Sequence, residues 1–134
     1  MSRKRIILGV SLAAAVLLAG FLVFVISVVI MLSGDGIDPL PFDAAAWQNN
    51  PATFSHDSMR LRMVDDLLAS HPLVGRTRSQ VVALLGEPDD VGWRNPDMVY
   101  QLGLERGPFA IDSEWLQLHL DKSDVVLDAR LMTD

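Results

Sequence analysis

Cysteine is absent from all 134 residues. With it go disulfide bonds, thiolate metal sites, cysteine nucleophiles and lipid attachment through a thioether. Histidine is nearly as scarce: His56, His71 and His119 fall on what read as three separate elements. No two of them have zinc-ligand spacing, and no serine stands in a nucleophile-elbow phrase, so hydrolytic chemistry finds no assembled donor set. Positive charge is the third shortage. Setting aside Arg3, Lys4 and Arg5, the chain holds 8 Lys/Arg against 17 Asp/Glu, a net charge of −9. So acidic a surface lacks the basic footprint of a nucleic-acid binder. Nothing calls for a cofactor, and the expected protein is not an enzyme.

One long segment has no charge of either sign. From Ile6 to Leu32 the sequence "IILGVSLAAAVLLAGFLVFVISVVIML" contains no charged residue, no proline and no amide over 27 residues. As a helix it would run about 40 Å at 1.5 Å per residue, enough to cross a hydrocarbon core of roughly 30 Å with some tilt. A cleaved signal peptide has an apolar region of about 7–15 residues; this run is nearly twice that, which favours an uncleaved signal-anchor. "LLAGF" at 17–21 has the shape of a lipoprotein cleavage box with Phe21 where the cysteine would be. Ser11, Ala15 and Ala19 form a small-residue stripe at four-residue spacing, a pattern that allows self-association through the span.

The flanks give an orientation. Three basic residues precede the run and Asp35 and Asp38 follow it, so the N-terminus is expected in the cytoplasm and everything beyond the span outside it. The organisation expected is a basic tail (1–5), a transmembrane anchor (6–32), a short linker (33–41, "SGDGIDPLP") and one extracytoplasmic domain (42–134). The chain is thus expected to cross a cytoplasmic (inner) membrane once, with its domain outside the cytoplasm.

Within the domain, "FDAAAWQNNP" (42–51) reads as a short helix capped by Asp43, with Phe42 and Trp47 as anchors. "SHDSMRLRMVDDLLASHP" (55–72) carries Met59, Met63 and Leu67 at four-residue spacing, widened by Val64 and Leu68. That is the apolar stripe of a packed helix, capped by Ser55 or Asp57, with Arg60, Arg62, Asp65 and Asp66 falling mostly on the wet side. Thr77 with Gln80 three residues on is a capping box, and Gly86 and Pro88 end the helix it opens. Strands are expected at 98–103, 111–120 and 124–132, the last two joined by "DKSD". In the third, Val125, Leu127, Ala129 and Leu131 would share one face. The fold class is α+β: an N-terminal transmembrane helix, then two helices packed on a three-stranded antiparallel meander.

Three groups of residues stand out as candidate contacts. Arg76 and Arg78 flank the start of the short helix, where the helix dipole makes a cation unfavourable by roughly 0.3–1 kcal/mol. Such a misplaced charge suits an anion or an acidic partner, although Arg78 could equally pair with Asp65, Asp66 or another nearby acid. Trp93, Tyr100 and Trp115 are the aromatics to check for an exposed binding face. Glu87, Asp89 and Asp90 crowd one turn, but match no calcium-loop pattern, so no metal site is assigned.

The phrase "LVGRTRSQVVALLGEPD", carried by Gly75, Thr77, Val81, Leu84, Leu85, Gly86 and Pro88 with Tyr100 and the final strand pair in support, resembles the small outer-membrane lipoprotein family SmpA/OmlA (BamE-like). The likeness spans roughly 60 residues, Leu73 to Met132. It implies two helices on a three-stranded antiparallel sheet, an architecture shared with the repeated domain of a secreted β-lactamase inhibitor protein. The family name would suggest a role in outer-membrane protein assembly. Family members are held by a lipidated cysteine, which this chain lacks. The function expected is a non-enzymatic, membrane-anchored adaptor for another envelope protein; the alternative is an inhibitor-like or small-ligand-binding module outside the cytoplasm.

Overall fold

The computed structural model describes residues 3–34, 36–89, 96–107 and 109–134, with only the backbone of 3–12 and 33. The chain divides into two compact units, Met1–Asp35 and Gly36–Asp134.

The first unit is one helix, α1 (Arg3–Ser33), 31 residues long. Its stretch Ala13–Leu32 is long and apolar enough to cross a membrane. Most of its large side chains, Phe21, Phe24 and Ile30 among them, stand exposed. The one polar side chain in the middle, Ser27, donates its hydroxyl proton to the Val23 carbonyl at 2.8 Å, so it presents no unsatisfied group to an apolar surrounding.

The second unit is α+β, with α2 (Ala44–Asn49), α3 (Met59–Ser70) and α4 (Arg78–Leu85) preceding β1 (Met98–Leu104), β2 (Ser113–Leu120) and β3 (Val126–Thr133). The strands form an antiparallel sheet in the order β1-β2-β3, the meander that the alternating runs imply. Helix α3 packs on β1, and α2 packs against both α3 and α4. Trp47 of α2 is fully buried at that junction, its ring edge-on to Phe42 at 5.9 Å and to Tyr100 at 6.5 Å. Leu61, Val64 and Leu67 of α3, Val81 and Leu85 of α4, and Tyr100, Leu102, Leu116 and Leu118 of the sheet close one core around it.

Segment 36–41, the later part of the expected linker, is fastened to α3 together with Phe42 just after it. Leu40 N–H donates to the Arg62 carbonyl at 2.8 Å, Arg62 Nε donates to the Asp38 carbonyl at 2.7 Å, and Phe42 N–H donates to Asp66 Oδ2 at 2.7 Å. Asp43 caps α2 through Ala46 N–H, as expected. Helix α3 departs from expectation at its start: the N-cap is Ser58, and its side chain makes no cap bond. The Ser58 hydroxyl donates instead to the Leu102 carbonyl on β1, trading a local cap for a tie between helix and sheet.

Two bulges reset the strand alternation. One falls between Gln101 and Gly103 on β1. There the sheet approaches the loop before α3 so closely that a Cβ on Gly103 would sit 2.8 Å from Ser58 Cβ and 2.9 Å from the Ser55 carbonyl oxygen. The other falls where Leu120 meets Val126. It turns Val126 inward (1% exposed) and Leu127 outward (62% exposed), while Ala129 and Leu131 keep the core side. The single face expected for Val125, Leu127, Ala129 and Leu131 is thus broken by one irregular residue, because a one-residue shift flips every side chain before it.

Candidate functional site

The domain has two unlike ends. Call the near end that where the chain joins the unit: Gly36 lies against His56, whose Nε2 donates to the Glu105 carbonyl at 3.1 Å. The β1–β2 connection is therefore at the near end. The far end holds the β2–β3 turn and the start of α4.

At the far end, Thr77 Oγ1 accepts from Gln80 N–H at 3.3 Å and Gln80 Oε1 accepts from Thr77 N–H at 2.9 Å, the complete capping box. The helix start is also stitched to the sheet. Gly75 N–H donates to the Val126 carbonyl, Val126 N–H to the Arg76 carbonyl and Arg78 N–H to the Asp124 carbonyl, each at 2.8 Å. Asp124 takes the left-handed conformation (φ 59°) that aspartate tolerates in tight turns. Asp121 organises the same turn by accepting from Ser123 and Val125 N–H.

Both candidate arginines already have partners. Arg76 Nε donates to the Pro72 carbonyl at 2.8 Å. Arg78 Nε lies 3.3 Å from Asp124 Oδ1, and Nη1 reaches the Asp97 carbonyl at 3.4 Å. Of the acids considered for Arg78, neither Asp65 nor Asp66 is the one it meets. The Arg78 side chain is still 39% exposed, and Val74 (58% exposed) and Leu127 (62% exposed) flank the Gly75–Val126 pairing. Two arginines, the exposed Asp124 and two exposed aliphatic side chains thus share this end.

The near end holds the strongest electrostatics among the described residues. Arg106 grips Glu114 through Nε (2.9 and 3.1 Å) and Nη2 (2.5 Å), and Asp65 through Nη1 (2.7 Å). These carboxylates hold the guanidinium more firmly protonated than usual, burial opposing them. Glu114 is itself 7% exposed in its side chain, so the pair is a structural clamp. Between the two ends, Arg60, expected on the wet side of α3, is 6% exposed. It lies over the Trp47 ring at 5.5 Å and donates to Asp89 Oδ2 at 3.1 Å. The same carboxylate oxygen accepts from Gln101 N–H at 2.7 Å. Asp89 is thereby occupied as a brace between α3 and β1. Asp66 is held below the ordinary aspartate range, first by the Phe42 N–H, then by the Ser70 hydroxyl and the charge of His71.

The aromatic candidates are corrected by burial. Tyr100 is fully buried, its hydroxyl donating to the Gly86 carbonyl at 2.9 Å; burial foremost, then the charge of Glu87, pushes its pKa well up. Trp115 is 7% exposed, and Val99 and Gln117 beside it are buried too. On the face of the sheet opposite the core, the side chains of β1 and β2 are thus buried or half-buried, and its exposed members, Arg130 and Met132, lie on β3. Trp93 and Asp90 lie outside the described residues, and Glu87 is exposed in the turn. Of the histidines, His56 ties the near end as above, His71 packs on Phe42 at 4.9 Å, and His119 is half-buried on β2. Among the described residues no group of three His, Asp or Glu stands together as a metal site. An open hollow of about 300 Å³ is lined by Glu114, Leu131, Met132 and Thr133, but its carboxylate is the one that Arg106 holds.

Fold and site together define an α+β unit, its buried ions spent on its own framework, joined to one long apolar helix. Comparison with protein-family models finds no match, and comparisons with curated proteins and with solved structures find none either.

Proposed function

We propose that this chain is a single-pass membrane protein of a bacterial envelope, with its N-terminus in the cytoplasm and its α+β domain outside, acting without catalysis as an adaptor for another envelope protein. The observation that carries the reading is the uncharged 27-residue run, with basic residues before it and acidic residues after it, in a helix whose large apolar side chains find no cover in their own unit. The domain beyond it holds three helices and a three-stranded meander, and the resemblance of residues 73–132 to the SmpA/OmlA-like proteins supports the envelope reading.

The partner contact on this reading is the far end. Arg76 and Arg78, with Val74 and Leu127, suit a segment that is both acidic and apolar, and Arg78 can exchange a single exposed contact with Asp124 for a partner carboxylate at little cost. The chain's own acidity disfavours nucleic acid and anionic surfaces as that partner. In-membrane cross-linking of the tagged full-length protein, followed by mass spectrometry, tests this. One defined envelope protein should be recovered, and lost in the double variant Arg76→Glu, Arg78→Glu with the fold intact by circular dichroism. Recovery of the chain alone would refute the adaptor role and point to self-association through the span.

A further inference from the structure

We propose that the near end of the domain inserts into the outer headgroup interface of the bilayer that α1 crosses, with Phe54, Phe109 and Ile111 as the inserted side chains. The inference rests on the anchoring reading above and adds to it a second, peripheral contact with lipid.

Phe109 is 80% exposed, Ile111 77% and Phe54 63%, the three most exposed large hydrophobic residues among those described in the unit, apart from the span. Exposed apolar side chains at one end of a small domain mark a contact surface, and the two loops that carry these three meet at the near end. Phe109 and Ile111 belong to the β1–β2 connection, which is closed on itself by Glu105 N–H donating to the Asp112 carbonyl and Ile111 N–H donating to Glu105 Oε1. Phe54 belongs to the loop before α3, bound to the same end through His56 and the close approach at Gly103.

The choice of lipid follows from the chain. The apolar stretch ends at Leu32, and Gly36, four residues on, is already so near His56 that a Cβ on it would lie 3.6 Å from Nδ1 of that ring. Four residues extend at most about 14 Å at 3.3–3.6 Å each, and from Leu40 onward the chain is pinned to α3. If α1 spans a membrane, the end carrying Phe54, Phe109 and Ile111 is held within reach of its headgroups. Asp57, Glu105 and Asp112 stand in the same two loops as these residues, and Arg106 of the second loop is engaged by Glu114 and Asp65. Such surroundings select an electrically neutral headgroup surface, with apolar insertion and no charge attraction supplying the affinity.

The absence of cysteine makes the test clean. Full-length single-cysteine variants Phe54→Cys, Phe109→Cys and Ile111→Cys, with Val74→Cys and Leu127→Cys as exposed apolar controls at the far end, are labelled with an environment-sensitive fluorophore and reconstituted in phosphatidylcholine vesicles. A Phe24→Cys label reports on the span itself. The proposal expects blue-shifted emission at 54, 109 and 111 that shallow spin-labelled phosphatidylcholine quenches, and water-like, unquenched emission at 74 and 127. Emission at 109 and 111 as water-like as at 127, while the label at 24 is quenched by deep spin-labelled lipid, overturns the insertion and leaves the anchor standing. No quenching at 24 overturns the anchor. A blue shift at 109 and 111 without quenching means burial against protein and also overturns the proposal.

Discussion

At the far end of the domain most side-chain bonds join near neighbours in the chain, and at the near end the main ones join residues far apart in it. At the far end Thr77 and Gln80 are three residues apart, and Asp121 serves Ser123 and Val125 within one turn. At the near end Arg106 reaches back 41 residues to Asp65, Ser58 reaches forward 44 residues to Leu102, and His56 meets Glu105 across 49. The helix cap and the turn of the far end are thus made by local bonds, and backbone bonds from Gly75, Val126 and Arg78 then join the two. The near end exists only once helix and sheet have met. Local bonds of this kind are individually modest, whereas a buried ion whose partner is removed is costly. Mutations should therefore cost more at the near end.

The largest effect is expected from Arg106→Ala. It strands Glu114, 7% exposed, without a counter-charge, and should destabilise the domain by about 3 kcal/mol in a denaturant titration. A cost under about 1 kcal/mol would mean that Glu114 is solvated and that the clamp is a surface pair. Next is Gly103→Ala, whose methyl group would meet Ser58 and the Ser55 carbonyl at under 3 Å. Overpacking of this kind should cost about 1–3 kcal/mol, read as a fall in Tm. Thr77→Ala, at the far end, removes one side of the capping box and should cost about 1 kcal/mol. If Thr77→Ala proved worse than Arg106→Ala, the contrast between the ends would be reversed.

The smallest effect concerns pH. Because the Phe42 N–H and the Ser70 hydroxyl depress the Asp66 pKa, its contribution is present above the ordinary aspartate range, near pH 4, and is lost as pH falls through the lower folded value. The Asp66→Asn variant should lack that portion of the acid dependence while losing some stability at pH 7. Parallel stability-versus-pH curves for the two proteins below pH 5 would contradict it.

The same contrast explains what could be read from the sequence. The capping box, the stop at Gly86 and Pro88, and the DKSD turn are spelled by adjacent residues, so α4 and the β2–β3 hairpin emerge with nearly correct ends. The arginines at 76 and 78 were visible as cations at the wrong end of a helix dipole, but Asp124, the acid that answers Arg78, is 46 residues away. Arg60 looks wet on a helical wheel because only the tertiary fold brings Trp47 and Asp89 over it. Tyr100 and Trp115 carry no sequence mark of burial, since an aromatic residue on a strand suits either face. Strict alternation puts Leu127 on one face with Val125, Ala129 and Leu131, and no local signal announces the bulge that turns it out. The apolar residues at 54, 109 and 111 fall in loops, where single hydrophobic residues pass as unremarkable until the fold puts them at one end.

The measurement that bears most directly on the account is topology in cells. A full-length chain carrying Ser123→Cys, at the exposed far-end turn, would be treated with a membrane-impermeant maleimide before and after lysis, and its membranes washed with alkaline carbonate. The account predicts labelling in unlysed cells and retention of the full-length 14.7 kDa chain in the washed membranes. Labelling only after lysis, or release of a shorter chain lacking the apolar helix, would contradict it.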